Sequence, residues 1–228
     1  MGGIPVLRPG AQVARDARIA LSGGPPRFVS RGGEKLDGAL ARFGLTVARR
    51  GWLDAGASTG GFTDRLLQGG AARVAAVDVG YGQLAWSLRN DPRVLVLERT
   101  NVRHLTRASI PFAVEGVVAD LSFISLRLVL PALVATAQPH ADLVLLVKPQ
   151  FELGRADVGR GVVRDPALWK RALNGVVEAA AAHSYAPVDA VAASPPGPAG
   201  NREFFLWLRQ DQGAPEAVVE RAIEELEA

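Results

Sequence analysis

From residue 52 onward, short apolar runs alternate with stretches in which apolar positions recur every three or four residues. Val74–Asp78, Val94–Leu97, Gly116–Asp120 and Leu143–Lys148 are β-rich runs, whereas Gly61–Gln68, Gln83–Arg89, Leu126–Ala137 and Pro166–Ala182 carry helical periodicity. Strand and helix in turn predict an α/β fold: a mostly parallel sheet with helices on both faces. Residues 185–194, "YAPVDAVAAS", and 202–210, "REFFLWLRQ", follow each other closely across a Pro/Gly turn. They predict a final hairpin, so the sheet ends with an antiparallel strand. Residues 214–227 predict a short polar helix. "SGGPPR" at Ser22–Arg27 is a linker signal that sets a short front piece apart from the main body.

The first periodic unit is "WLDAGASTGGFTDRLLQGGAARVAAVDVG", Trp52 to Gly80: a strand, a glycine-rich turn, a helix and a second strand ending in an acid. A dinucleotide fold calls for G-x-G-x-x-G, so that backbone can approach a pyrophosphate. Here the turn is Gly56-Ala57-Ser58-Thr59-Gly60-Gly61, and Asp54 stands before its first glycine. A carboxylate there serves a phosphate poorly and a cationic ligand well. S-adenosylmethionine, with a sulfonium, an ammonium and no phosphate, fits that description. Asp78 is placed to take ribose hydroxyls, a role shared with dinucleotide folds.

Composition narrows the classes. The chain has 228 residues and is 48% hydrophobic, enough for one sizeable domain plus short extensions. It has no cysteine and three histidines, which argues against disulfides, thiolate metal sites and a multi-histidine centre. The first residues lack a basic segment followed by an apolar one, and the most apolar long window contains Asp120, Arg127 and Pro131. The expectation is a cytoplasmic protein with neither a metal nor a membrane span. Net charge is only +3, but residues 1–50 hold nine basic against three acidic residues, while residues 211–228 hold one against six. A basic front suits an anionic partner, with nucleic acid the leading candidate.

Of the 26 basic residues three are lysines: Lys35, Lys148 and Lys170. Wherever a plain positive charge serves, this sequence uses arginine. A retained lysine can do what arginine cannot, which is to give up its proton. Lys148 ends the apolar strand "LVLLVKPQF" and so sits at the carboxyl edge of the sheet, where open α/β folds bind ligands. Burial and a second cation nearby, with Lys35 the candidate, would favour its neutral form and make it a general base. Lys35 follows "SRGGE" shortly before the first strand. Lys170 lies on a polar helix face and reads as a surface lysine. Asp120 ends another strand, placed to favour a sulfonium and to orient Lys148. Glu203 opens the last strand, placed to accept hydrogen bonds from Lys35 or a substrate.

Several stretches in order carry a resemblance: "RFVSRGGEKLDGAL", "LDAGASTGGFTDRLL", "VDVGYGQLAWSLRNDPRVLVLERTNVR", "ADLSFISL", "LVKPQFELGR", "VGRGVVRD" and "SPPGPAGNREFFLWL". They resemble the TlyA-type (hemolysin A) ribosomal RNA 2′-O-methyltransferases, whose catalytic domain is of the FtsJ/RrmJ type. The resemblance covers nearly all of residues 27–209 and implies a Rossmann-like class I methyltransferase domain over 27–228. It also implies S-adenosylmethionine as cofactor and a cytidine ribose 2′-hydroxyl in small- and often large-subunit ribosomal RNA as acceptor. The family's Lys-Asp-Lys-Glu tetrad falls by motif on Lys35, Asp120, Lys148 and Glu203. Its cofactor residues fall on Asp54, on Gly56, Ala57, Ser58, Thr59, Gly60, Gly61 and Phe62, on Asp78, Thr100 and Asn101, and on Asp120. The family normally begins with an S4-type RNA-binding domain. Here "VLRPGAQVARDARIAL" resembles its last strands, so residues 1–26 read as its remnant plus linker. Phosphate contacts would then fall to Arg27 and Arg31 and to a loop with Arg155, Arg160 and Arg164.

Three other readings stand beside this one. A membrane-active hemolysin is invited by the family's older label, and liposome leakage decides it. An RNA-binding or ribosome assembly factor without catalysis would have no need of lysine over arginine. A nicotinamide-dependent reductase is separated by calorimetry with S-adenosylmethionine and NAD.

Overall fold

The computed structural model describes residues 12–17, 26–159, 161–197, 200–210 and 215–227. The central feature is a seven-stranded sheet in the order β3-β2-β1-β4-β5-β7-β6. Its strands are β1 (Gly51–Ala55), β2 (Arg73–Val77), β3 (Val94–Leu97), β4 (Gly116–Ala119), β5 (Asp142–Val147), β6 (Tyr185–Ala192) and β7 (Phe204–Gln210). The first five pair in parallel. The last strand, β7, enters between β5 and β6 and runs antiparallel to both. The α/β architecture read from the sequence is the one observed.

The alternation of side chains along the central strands builds two cores. On one face Trp52, Val74, Ala76, Val118, Val144, Leu146 and Phe205 pack with α1 (Arg31–Phe43), α2 (Gly61–Gln68) and the short α3 (Trp86–Arg89). On the other, Leu53, Val77, Val117, Leu143, Leu145, Phe204 and Leu206 pack with α4 (Leu130–Thr136), α7 (Pro166–Ala181) and α8 (Pro215–Glu227); two short helices, α5 (Pro149–Glu152) and α6 (Arg155–Val158), fall between β5 and α7 in the chain. Both faces of these strands are covered, which is why they read as unbroken apolar runs. The start of α7 is set locally: Pro166 occupies its first turn, and the Asp165 carboxylate accepts the Ala167 N–H at 2.9 Å.

One element is not among those assigned from the sequence: "SRGGEKLDGALARF" forms a helix, α1, whose buried stripe is Leu36, Ala39, Leu40 and Phe43. Three expectations need correction. The helix expected over Gln83–Arg89 is only Trp86–Arg89, because the residues before it are drawn to the glycine turn, where the Ala85 N–H meets the Thr59 carbonyl at 3.1 Å. The helix expected over Leu126–Ala137 is split into a 3₁₀ turn, Leu126–Leu128, and α4, whose first turn takes Pro131 where no N–H is needed. Finally, α8 is amphipathic: Val218, Val219, Ala222 and Ile223 are buried in the second core.

Candidate functional site

Five acidic or basic side chains from different strands meet one edge of the sheet. Asp54 lies within β1, and Asp78, Asp120 and Lys148 directly follow β2, β4 and β5. Glu203 directly precedes β7, and the antiparallel register Val147↔Phe204 brings that end of β7 beside the end of β5. The parallel strands and the late antiparallel one thus deliver their chemistry to the same rim.

Two lysine–carboxylate pairs occupy it. Lys148 Nζ lies 2.6 Å from Asp120 Oδ1, and Lys35 Nζ lies 2.6 Å from Glu203 Oε2. Both lysine side chains are 11% exposed; Glu203 is 1% exposed and Asp120 28%, so the Lys35–Glu203 pair is largely screened from water whereas the Lys148–Asp120 pair opens toward it. Lys148 also donates to Ser122 Oγ at 2.9 Å. Glu203 is packed closely under Gly197, where any Cβ would fall 2.3 Å from its Oε1. Lys35 reaches the rim because α1 packs along α2.

The glycine turn shapes a small cleft beside these pairs, lined by Ser30, Gly32, Gly56, Ala57, Ser58, Thr59, Gly61, Phe62 and Asp120, with a volume of about 110 Å³. Gly56 takes φ +88°, and a Cβ there would meet the Asp120 carbonyl at 2.4 Å. At Gly61 a Cβ would meet Ser30 Oγ at 2.2 Å and the Gly33 nitrogen at 2.7 Å. The amino-terminal turns of α1 and α2 therefore close on the same space.

Beneath the turn Asp54 is fully buried. One oxygen accepts from Thr63 Oγ1 at 2.7 Å and the other has no hydrogen-bond partner. Burial pushes its carboxyl up to about 7; the Thr63 hydrogen bond opposes this, and the charges of Asp120 and Asp78 add to it. Asp78 accepts backbone N–H groups from Ser58 at 2.8 Å and Gly80 at 2.7 Å, one on each oxygen, which leaves each a free lone pair. This donor set fits S-adenosylmethionine better than a pyrophosphate. The charged residue lining the cleft is an acid, and a buried carboxylate oxygen waits without a partner.

The remaining candidates sit less directly. Thr100 hydroxyl donates to the Glu98 carbonyl at 3.0 Å, and Asn101 caps a 3₁₀ turn by accepting the Arg103 N–H at 3.0 Å. Neither lines the cleft. Arg31, Arg155 and Arg164 are exposed, Arg27 is paired with Asp37, and Arg160 lies outside the described residues. Sequence reasoning missed Ser122 and Phe123. Phe123 is 90% exposed at φ +64°, its ring 5.1 Å from that of Phe151. An open aromatic face three residues from Asp120 is a surface on which a nucleobase can stack. No sequence signal marks it beyond its place after the strand-end acid.

A model of the FtsJ-like methyltransferase family matches residues 28–210. The chain belongs to that family. Among FtsJ-like relatives, the 16S/23S rRNA (cytidine-2′-O)-methyltransferase TlyA of Mycobacterium tuberculosis H37Rv is 56% identical over 209 residues, which are 91% of this chain and 78% of that protein. A solved structure from Lactococcus lactis that carries a hemolysin name superposes with a TM-score of 0.85 at 39% identity, over 89% of this chain and 99% of that one. Fibrillarin of Aeropyrum pernix, solved with S-adenosyl-L-methionine bound, matches at a TM-score of 0.53 and 14% identity, covering 78% of this chain and 76% of that one; this is a likeness of fold alone. Among the described residues no helix is long and apolar enough to cross a membrane, and no group of three His, Cys, Asp or Glu could hold a metal ion.

Proposed function

We propose that this protein methylates the 2′-hydroxyl of a cytidine ribose in ribosomal RNA, with S-adenosylmethionine as donor and a ribosomal subunit as partner. The observation that carries the reading is the amine of Lys148, held 2.6 Å from Asp120 at the lip of the glycine-turn cleft. The 56% identity to a protein of that named activity supports the substrate. A cytoplasmic location follows from such a partner.

When bound, S-adenosylmethionine supplies a methyl group already activated on a sulfonium. Asp54, Asp120 and the turn Gly56–Phe62 would hold its cationic part, and Asp78 its ribose. Lys148 takes the proton of the RNA hydroxyl as that oxygen forms its bond to carbon, and Asp120 stabilises the ammonium that results. Lys35, steadied by Glu203, offers its remaining N–H groups to the ribose or the neighbouring phosphate. Phe123 offers its face to a base. Much of the acceleration comes from alignment, because a direct displacement needs oxygen, methyl carbon and sulfur in line.

The test uses ribosomal subunits and labelled donor. Lys148→Ala abolishes transfer while calorimetry still finds S-adenosylmethionine bound, and 2′-O-methyl mapping locates the mark made by the unaltered protein. Transfer by Lys148→Ala at the unaltered rate would end this reading.

A further inference from the structure

We propose that Ser122 is a positioning residue for the proposed base: its hydroxyl sets the rotation of the Lys148 amine, so that the nitrogen lone pair faces the hydroxyl to be methylated. The inference rests on the role given to Lys148 above.

A neutral primary amine carries two N–H bonds and one lone pair, and it turns about its Cε–Nζ bond. To act as a base it must present the lone pair, not a hydrogen, to the incoming hydroxyl. Something must therefore hold a hydrogen elsewhere. Asp120 Oδ1 is the closer neighbour at 2.6 Å, yet it receives no well-aligned hydrogen bond. Its attraction becomes an ion pair once the amine has taken up the proton, and that attraction depends on separation far more than on direction. The directional bond runs to Ser122 Oγ at 2.9 Å. Asp120 thus supplies charge and Ser122 supplies orientation.

A serine on a loose loop could not do this. The segment after β4 is instead fastened to the segment after β5 at successive points. The Phe123 ring lies 5.1 Å from that of Phe151. Ser125 Oγ donates to Glu152 Oε2 at 2.5 Å, and the Leu126 N–H donates to Glu152 Oε1 at 2.7 Å. Phe151 and Glu152 belong to the short helix α5 (Pro149–Glu152) that begins directly after Lys148. Residues 122–126 and 148–152 therefore move as one piece, and the serine keeps its place relative to the amine.

The experiment compares Ser122→Ala, Ser122→Thr and Lys148→Ala by steady-state methylation of ribosomal subunits, with S-adenosylmethionine binding followed by calorimetry. Ser122→Ala is expected to lower kcat by about 10- to 100-fold, since a general base contributes at least that much when aligned. KM for the subunits and the dissociation constant of S-adenosylmethionine stay within about twofold. Ser122→Thr, which keeps the hydroxyl, recovers kcat to within a few fold. In the pH–rate profile the deficit of Ser122→Ala persists on the alkaline plateau, because an unaligned neutral amine remains unaligned. Unaltered kcat in Ser122→Ala, a deficit that vanishes at high pH, a loss confined to KM, or failure of threonine to restore the rate would each overturn the inference. With Lys148→Ala inactive, those results leave the methyltransferase reading standing; a fully active Lys148→Ala overturns both.

Discussion

At the scale of single residues, Asp54 is the group whose chemistry depends most on where the fold puts it. Its carboxyl is held near 7, far above the 3.8 of an exposed aspartate, mainly by burial. A raised carboxyl binds its proton more tightly folded than unfolded. Its contribution to stability is therefore complete at pH values below about 3.8 and is lost as pH rises through about 7. Asp54→Asn keeps a neutral group there, so its stability relative to the unaltered protein should rise between pH 5 and pH 8, by roughly 2–3 kcal/mol. Chemical denaturation at the two pH values measures the difference. The same ionisation governs a cationic ligand: only the carboxylate attracts it, so S-adenosylmethionine should bind the unaltered protein roughly tenfold more tightly at pH 8 than at pH 6, and a flat calorimetric profile would contradict this.

Much at this scale was legible beforehand. The scarcity of lysine singled out Lys35 and Lys148, and the strand ends singled out Asp120 and Glu203. The structure places these four on one rim as two ion pairs. Ser122 and Phe123 were not legible, because nothing in "ADLSFISL" tells which side chains of a loop turn back toward a neighbouring strand. The left-handed backbone at Phe123 is a tertiary outcome, unexpected for a bulky residue.

At the scale of elements, the contact between α1 and α2 is decisive. No element is assigned to α1 from the sequence, although its apolar spacing from Leu36 to Phe43 is helical. The glycines serve close approach: the backbone of Gly33 passes where a Cβ on Gly61 would sit. Gly61→Ala should separate the two helices. The expected cost is about 1–3 kcal/mol in stability, typical of overpacking. It should also weaken S-adenosylmethionine binding, since both helices line the cleft. Thermal denaturation and calorimetry on one preparation test the two effects. Asp37 braces the same contact by accepting from both Arg27 and Arg65.

At the scale of the whole molecule, stability resides in the two sheet faces rather than in the many surface charges. Arg42 joins α1 to Asp189 of β6 at 3.4 Å and to Glu225 of α8 at 3.0 Å, but it is 42% exposed. Arg42→Ala should cost at most about 1 kcal/mol, and Phe205→Ala, in the core beneath α2, about 3–5 kcal/mol. Equal losses in denaturant unfolding would contradict this division. Hydrophobic pattern alone revealed the sheet, but it could not reveal the order of its strands. Nothing local in "REFFLWLRQ" says that it slips between β5 and β6.

That late insertion has a consequence for the newborn chain. While the protein is being made, five parallel strands and the glycine turn are complete by residue 147, long before β7 leaves the ribosome. The partner of Lys35 arrives only with Glu203, at the head of the strand that wedges the hairpin into place. A chain interrupted in between would possess the glycine-turn cleft and the Lys148 amine beside it, while Lys35 stood without Glu203. The pairing of Lys35 at the rim is therefore complete only once β7 has been added.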